Sequence, residues 1–291
     1  MLLKSLFLIV FLSTFTLPVA ADERAVVRYP QSTGVDPVYH RQTEYFLAML
    51  ALAFVKVGQD YVLEPVSVDV ITDSRNARNM GRGLYDVSWL HTNPDRESTL
   101  RPVRIPLFKG LTGWRLLLIQ PKEVEKFRNI TDINQLRALR AGSGNDWPDT
   151  RILRANGFQV ESSGSRDSLV KMLRAGRVDY MPRSVMEVWD EIELGKADGV
   201  LLEPTLALHY PSAFFFFVAR SNQELAQIIE QGLELAIADG SFDKLFMQYY
   251  GESIKLAELD KRQVIAIKNI PMIYNNSIKR KELWFHPDAS H

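Results

Sequence analysis

The sequence predicts an α/β fold of two lobes, each built around a largely parallel sheet. The first observation is length, because 291 residues can bury a large core and divide naturally into two lobes. The second is composition, since 46% apolar and 24% charged residues are typical of globular chains and not of disordered ones. The third is order along the chain, because strand patterns alternate with helix patterns, as they do in lobes with a mostly parallel sheet.

Charge and residue usage exclude several classes of function. Lys+Arg and Asp+Glu both number 35, so no global charge attracts the chain to nucleic acid or an acidic membrane. The chain has no cysteine, which excludes a lipid-bearing cysteine, thiolate catalysis and cysteine-based metal sites. Its five histidines lack metal-ligand spacing, and no G-x-S-x-G, H-E-x-x-H or Walker motif is present. We therefore expect no metal, no cofactor and no nucleic-acid partner.

The first 21 residues have the parts of a secretory signal peptide. Lys4 gives a positive start, residues 6–15 are apolar except at two positions, and small residues precede Asp22. The apolar run is shorter than the roughly 20 residues that a spanning helix needs, which favours a cleaved signal over an uncleaved anchor. We expect an exported mature chain that begins at Asp22.

The mature chain begins with strand and helix patterns in alternation. Apolar residues from Tyr45 to Val57 recur at helical spacing, and Gly58 ends that pattern. Alternating or continuous apolar runs mark the strands. The expected strands are 25–29, 66–71 and 85–90, and the expected helices are 41–57 and 76–81.

The rest of the chain repeats this order. We expect strands over 116–119, 178–181, 201–204 and 213–219, and helices over 131–136, 148–157, 165–176, 224–239 and 242–250. Thr131 or Asp132 caps the first of these helices. The Gly-Ser-Gly-Asn segment 142–145 is predicted as a flexible loop, and Gly251 as the end of the last helix. Residues 261–291 have a weak pattern and are expected to form a partly ordered extension.

Five short motifs occur in an order typical of one protein family. They are Gly83-x-x-Asp86 followed by Arg96 and Ile105–Phe108, Asp132-Ile133-x-x-Leu136 followed by Ala141–Gly144, Leu169-x-x-x-Leu173-x-x-Gly176-Arg177-Val178-Asp179, Phe217–Arg220, and Ala238–Phe242. With them, the chain from about Ala25 to Gly251 resembles the family 3 periplasmic solute-binding proteins, whose best-known members serve polar amino acid importers.

The resemblance implies a type II periplasmic-binding-protein-like fold, with two lobes joined by two crossing hinge strands and a ligand held in the cleft. The crossing strands are expected at 113–119 and 213–219. Residues 22–113 and 218–291 then form lobe 1, including the extension 261–291, and residues 114–217 form lobe 2. The family's binding mode implies closure of the lobes around the ligand.

Four residues near position 90 are candidates for the lobe 1 side of the cleft. Arg96 stands where the family holds a ligand carboxylate, and a guanidinium fork suits two carboxylate oxygens; the alternative is a surface arginine beside Asp95 and Glu97. Trp89, His91 and Thr92 lead out of a strand at its carboxyl end, where open α/β sheets bind ligands. Trp89 is equally compatible with the core, and His91 with a solvated loop.

Lobe 2 offers a second set of candidates. Ser143 and Gly144 stand at the family's ligand loop and precede a helix, whose free N–H groups favour an anion. Trp147 and Asp149 at the same helix start are candidate wall residues. Short glycine-rich connections also occur in many α/β proteins that bind nothing there.

One position departs from the family pattern. Amino acid binders of this family carry an acidic residue five positions after the strand aspartate, and here that position is Ser184, preceded by Arg183. A buried ammonium needs an anionic acceptor or several neutral ones, so Arg96 with Arg183 suits a carboxylate or another anion better. The alternative is that Arg183 faces solvent and Glu187 holds the ammonium.

The leading hypothesis is a monomeric periplasmic binding protein that delivers a small-molecule ligand to a permease or a sensor receptor in the membrane. The alternative is an enzyme on the same scaffold, because cyclohexadienyl dehydratases resemble these binders. Its candidate acids are Asp146, Asp149 and Glu187.

Overall fold

A computed structural model describes residues 25–33, 37–69, 73–269 and 279–287, in which strands and helices alternate. The chain begins with β1 (Ala25–Ser32), α1 (Pro37–Lys56), β2 (Tyr61–Val68), α2 (Asp73–Gly81), β3 (Val87–His91), α3 (Pro94–Thr99) and β4 (Leu100–Val103). It continues with β5 (Trp114–Ile119), α4 (Val124–Arg128), α5 (Ile133–Arg137), β6 (Arg140–Gly144), α6 (Pro148–Ala155), β7 (Gln159–Ser163), α7 (Arg166–Arg174), β8 (Tyr180–Ser184), α8 (Val188–Glu193), β9 (Leu201–Leu202) and β10 (Leu206–His209). It ends with β11 (Phe214–Ala219), α9 (Gln223–Ala238), α10 (Ser241–Ala257) and β12 (Gln263–Ala266). The expected signal peptide lies outside the described residues.

The first lobe contains β1 to β4 and β11. β1 pairs with β2 in parallel, and β11 lies between β3 and β4 with both pairings antiparallel. Asp86 N donates to Arg28 O at 2.9 Å and joins the two groups of strands. Helices α1 and α9 pack closely, because a Cβ on Gly232 would lie 2.0 Å from Ala53 O. The absence of a side chain at Gly232 therefore sets the distance between these helices.

The second lobe is a sheet with the strand order β12-β10-β5-β8-β6-β7, and β9 pairs with β5. Strand β5 is buried along its whole length, as a strand covered on both faces should be. The apolar side chains on one side of this sheet form their own cluster, with Leu117, Phe127, Ile152 and Leu208 among its members. Helices α4 to α8 follow the strands of this lobe in sequence.

The chain passes between the lobes at residues 104–113 and 210–213. The two links run side by side, because Tyr210 N donates to Gly113 O at 3.1 Å. A Cβ on Gly113 would lie 1.8 Å from Tyr210 O, so this approach requires glycine. A further crossing follows α10, where residues 258–262 lead into β12 of the second sheet. Gln263 N donates to Thr205 O there at 2.8 Å.

The predicted α/β alternation is confirmed, and Asp132 is the cap of α5, with a capping box to Gln135. Several predicted bounds are wrong. The strand expected at 66–71 occupies Tyr61–Val68, and the helix expected to end at Gly251 continues to Ala257. Packing of α10 against α1 and α9 outweighs the low helix propensity of one glycine.

The C-terminal part is more structured than expected. Within the segment 261–291, β12 adds a strand to the second sheet and Ile265 enters its core. Residues 279–287 return to the first link, where Phe285 N donates to Lys109 O at 2.7 Å. Strand β11 belongs to the β3-β11-β4 sheet of the first lobe over its full length. The segment 214–217 therefore lies with the first lobe.

Two kinds of feature are absent from the described part of the chain. None of its helices combines the length and the apolar character needed to cross a bilayer. No group of three or more potential metal-ligating side chains comes together in the same residues.

Candidate functional site

A small cavity lies between the two lobes, beside the links that join them. The carboxyl end of β3 and the start of α3 line it from the first lobe, and α6 lines it from the second. Its interior measures about 30 Å³, room for about two water molecules. Its lining residues are His91, Thr92, Asn93, Arg96, Pro148, Arg151, Ile152, Ser212, Ala213 and Asn269. We call it the interlobe cavity.

The first lobe contributes three of the predicted site residues. Arg96 lies in α3, and Asn93 caps this helix and accepts from Arg96 N at 2.9 Å. The Arg96 side chain is 7% exposed and donates to the backbone oxygen of His91. Thr92 Oγ1 donates to Glu97 Oε1 at 2.5 Å. Arg96, His91 and Thr92 therefore lie together on one wall.

His91 is held in an uncharged state by its surroundings. Its ring packs on Phe214 with a centroid distance of 3.9 Å. Burial lowers the pKa of His91 well below its ordinary value, and the nearby Arg115 and Arg96 cations lower it further. The wall around His91 is thus electropositive without a contribution from His91 itself.

Trp89 does not line the interlobe cavity. Its side chain stacks on Phe46 of α1 with centroids 4.8 Å apart and an interplanar angle of 20°, and it packs against the main buried cluster. The choice left open by the sequence is therefore resolved towards the core.

Ser143 and Gly144 belong to strand β6, so the expectation of a flexible loop over 142–145 is wrong for residues 142–144. β6 pairs with β7 and β8, and Ser143 is 1% exposed. Thr150 Oγ1 donates to Ser143 Oγ at 2.8 Å. A Cβ on Gly144 would lie 2.5 Å from the Trp147 ring, so only glycine leaves room for this ring. Neither Ser143 nor Gly144 lines the interlobe cavity.

Arg183 is enclosed by partners within its own lobe. Its guanidinium carbon lies 4.4 Å from the centroid of the Trp147 ring. Its Nε donates to Glu191 Oε2 at 2.9 Å, and its Nη2 lies 2.8 Å from Glu187 Oε2. Burial acts to lower the pKa of Arg183, but the carboxylates of Glu187 and Glu191 outweigh burial and raise it.

Glu191 binds a second arginine as well. Arg166 Nη1 lies 3.1 Å from Glu191 Oε1. Burial acts to raise the pKa of Glu191, but Arg183 and Arg166 outweigh it and lower the pKa. We call Arg166, Arg183, Glu187 and Glu191 the arginine–glutamate cluster. Ser184, beside it, is 2% exposed and accepts from Met186 N at 3.3 Å.

A second buried cluster was missed by the sequence analysis. Arg115 on β5 lies 2.9 Å from Asp149 Oδ1 and donates through Nε to Tyr210 Oη at 2.8 Å. Tyr210 Oη donates in turn to Asp149. The signal was present, because Arg115 is the one charged residue in the otherwise apolar strand 114–119, and a charge buried there must be paired. This cluster joins β5, α6 and the second link.

The lobes also touch away from the links. Arg41 Nη1 of α1 lies 2.6 Å from Asp190 Oδ1 of α8, and Trp189 Nε1 of α8 donates to Ser253 O of α10 at 3.0 Å. Four contacting residues therefore connect α8 to two helices of the other lobe. The lobes face each other in a closed arrangement, which agrees with the small volume of the interlobe cavity.

Solved structures with the same fold include several binding proteins. An ancestral arginine-binding protein bound to arginine matches with a TM-score of 0.55 and 15% identity, over 78% of this chain and 99% of that chain. An amino acid ABC transporter substrate-binding protein from Streptococcus pneumoniae, bound to L-arginine, matches with a TM-score of 0.54 and 13% identity, over 78% and 94%. A histidine kinase sensor domain similar to periplasmic binding proteins matches with a TM-score of 0.52 and 14% identity, over 79% and 96%.

These matches confirm the predicted resemblance at the level of the fold. Each identity is below one residue in five, so the likeness concerns architecture. No protein-family model matches the sequence, and no curated protein matches it. What the chain binds must therefore be argued from its own residues.

Proposed function

We propose that this chain is a periplasmic solute-binding protein whose lobes close around a small polar ligand with a carboxylate. The observation that carries this proposal is the interlobe cavity, because residues of both lobes and of the links line it. A ligand bound there contacts both lobes only when they are closed, so its binding free energy favours the closed state. Solved proteins of this fold that bind arginine support the same type of action.

Arg96 is the residue we assign to the carboxylate. It is almost fully buried and lines the interlobe cavity. A guanidinium there offers charge-assisted hydrogen bonds to two carboxylate oxygens. Its hydrogen bond to the His91 backbone fixes the direction of the side chain, which lowers the entropy cost of binding.

The test is a thermal-shift screen of the mature protein against amino acids and organic anions, followed by calorimetry. A ligand at 100 times its Kd should stabilise the fold by about 2.7 kcal/mol. Arg96→Gln should abolish that shift, whereas Arg82→Gln, at an exposed position after α2, should leave it unchanged. The proposal fails if no compound shifts the unfolding midpoint, or if Arg96→Gln binds as tightly as the unchanged protein.

Export and delivery belong to the same proposal. Residues 1–21 serve as a cleaved signal peptide, so mass spectrometry of the exported form should give a chain that starts at Asp22. Retention of Met1 would contradict this. The bound form then docks on an importer or on a membrane sensor, and neighbouring genes for a permease and ATPase, or for a kinase or cyclase, distinguish the two roles.

The dehydratase-like alternative receives no support from the geometry. Asp149 is salt-bridged to Arg115, and Glu187 to Arg183. Neither of these side chains, nor that of Asp146, is among those that line the interlobe cavity. An acid that is to protonate a leaving group must be within hydrogen-bond reach of it. The same ligand screen, followed by chromatography of the incubated compounds, would reveal turnover.

A further inference from the structure

We propose that the interlobe cavity selects a small oxyanion without an ammonium group, held between Arg96 of the first lobe and Arg151 of the second. This inference rests on the proposed function, since it concerns the ligand of the same cavity. It differs from the expectation drawn from the sequence, in which Arg183 is the second cation. Short-chain carboxylates and inorganic oxyanions of similar size share the required chemistry.

The charge of the lining favours an anion. Arg96 and Arg151 both line the interlobe cavity, and none of its lining residues is acidic. Two acidic residues beside the lining are held by other arginines, because Glu97 is bound by Arg104 and Asp149 by Arg115. A bound anion therefore meets two guanidinium groups and no carboxylate among the lining residues.

The side-chain contacts of Arg151 favour the same class of ligand. It lies on the exposed face of α6, and it has no ion pair or hydrogen bond from its side chain to any other residue that the structure describes. Arg183, by contrast, is stacked on Trp147 and bound to Glu191. Arg151 therefore keeps its donors for a ligand.

The uncharged side chains of the lining add hydrogen-bond donors. Asn93 uses its side-chain oxygen to cap α3, which leaves its NH₂ group for the cavity. Asn269 donates one of its two amide hydrogens to Pro211 O at 2.7 Å, and Ser212 adds a hydroxyl to the lining. An ammonium group needs acceptors instead, and the two arginines supply none. The charged side chains of the lining are thus donors only, which favours an anion over a zwitterion.

The volume of the interlobe cavity favours a small ligand. An interior of about 30 Å³ holds about two water-sized groups, which suits formate, acetate or nitrate.

The experiment is calorimetry on the mature protein with formate, acetate, nitrate, phosphate and glycine as probes. Glycine is the informative comparison, because it has the carboxylate of acetate together with an ammonium group. We expect acetate to bind at least about tenfold more tightly than glycine, since the ammonium would meet two guanidinium cations and no acidic lining residue. Nitrate and phosphate distinguish an inorganic ligand from a carboxylate within the same class.

Arg151→Gln is the variant that tests the second cation, and Arg154→Gln on the same helix is its control. Loss of one charge-assisted contact should weaken anion binding by at least about tenfold, with the unfolding midpoint of the free protein unchanged. Arg154→Gln should bind as the unchanged protein does. If glycine or another amino acid binds as tightly as acetate, or if Arg151→Gln has no effect, this inference is wrong while the proposed function stands. If none of the anions and amino acids binds, both are wrong.

Discussion

Replacement of Glu191 by glutamine should destabilise the protein because it removes the central anion of the arginine–glutamate cluster. Glu191 is 1% exposed and accepts from Arg183 at 2.9 Å and 2.5 Å. Glutamine keeps the shape of the side chain but leaves the charges of Arg183 and Arg166 without their shared carboxylate. Breaking a buried ion pair costs roughly 3–5 kcal/mol. Because Glu187 stays within 2.8 Å of Arg183, we expect about 3 kcal/mol, the lower end of that range.

The loss should depend on pH in a defined direction. The pKa of Glu191 is lowered in the folded protein, so its carboxylate stabilises the fold at pH values above its unfolded pKa of about 4.3. That contribution is lost as the pH falls through the folded value. The difference between the unchanged protein and Glu191→Gln should therefore be complete at pH 7 and should shrink below about pH 4.

Urea unfolding followed by tryptophan fluorescence measures this difference across the pH range. Glu193→Gln is the matched control, since Glu193 is exposed on the same helix, and its effect should stay within about 0.5 kcal/mol. A loss below 0.5 kcal/mol for Glu191→Gln, or a loss that is equal at pH 7 and pH 3.5, would refute the reasoning. Arg183 would then be available to a ligand after all.

Two further predictions concern packing within a lobe and contact between the lobes. Gly232→Ala should destabilise by roughly 1–3 kcal/mol or more, because its Cβ would meet Ala53 O at 2.0 Å. Gly251→Ala, where the nearest atom is a Met247 side-chain carbon at 3.4 Å, should stabilise α10 by about 0.5–1 kcal/mol; equal effects in thermal unfolding would contradict both. Arg41→Ala should shift the lobes towards opening by up to about fivefold in population, since an exposed pair contributes up to about 1 kcal/mol. Spin labels on two introduced cysteines would report the interlobe distance, and an unchanged distance distribution would contradict this.

Much of the fold could be predicted because local signals agreed with tertiary packing. Asp132 and Ser165 have the chemistry of helix caps and cap α5 and α7. The run of four phenylalanines in 213–219 forms a strand whose central residues are buried. In each case the residue that sets the local structure also satisfies its neighbours in space.

The errors arose where tertiary contacts decide the outcome. Glycine is a common helix end, yet Gly251 lies inside α10, because packing supplies more free energy than one glycine costs. Gly142 and Gly144 suggest a loop by composition, but they form a central strand that must leave room for Trp147. Such glycines are required by a neighbouring side chain, which the spacing of residues in the sequence does not reveal.

The lining of the interlobe cavity was predictable on one wall only. Arg96, His91 and Thr92 follow one strand, so local sequence places them together. Arg151 and Asn269 come from a helix and from the last crossing of the chain, and they reach the same cavity only through the fold. Arg183 was misjudged for a related reason, because its partner Glu191 lies on the helix after β8. The direction of that helix decides whether the charge is paired.

The links and the last crossing together determine how a ligand can enter. Residues 104–113 and 210–213 form paired links, and the chain after α10 ties the second sheet to the first lobe again through β12. Opening must therefore occur on the opposite side, where Arg41 meets Asp190 and Trp189 meets α10. Of these contacts, the Arg41–Asp190 pair is partly exposed and contributes little to the closed state. A small anion can be enclosed by restoring them, whereas a ligand too large for the cavity would keep them apart and gain nothing from closure.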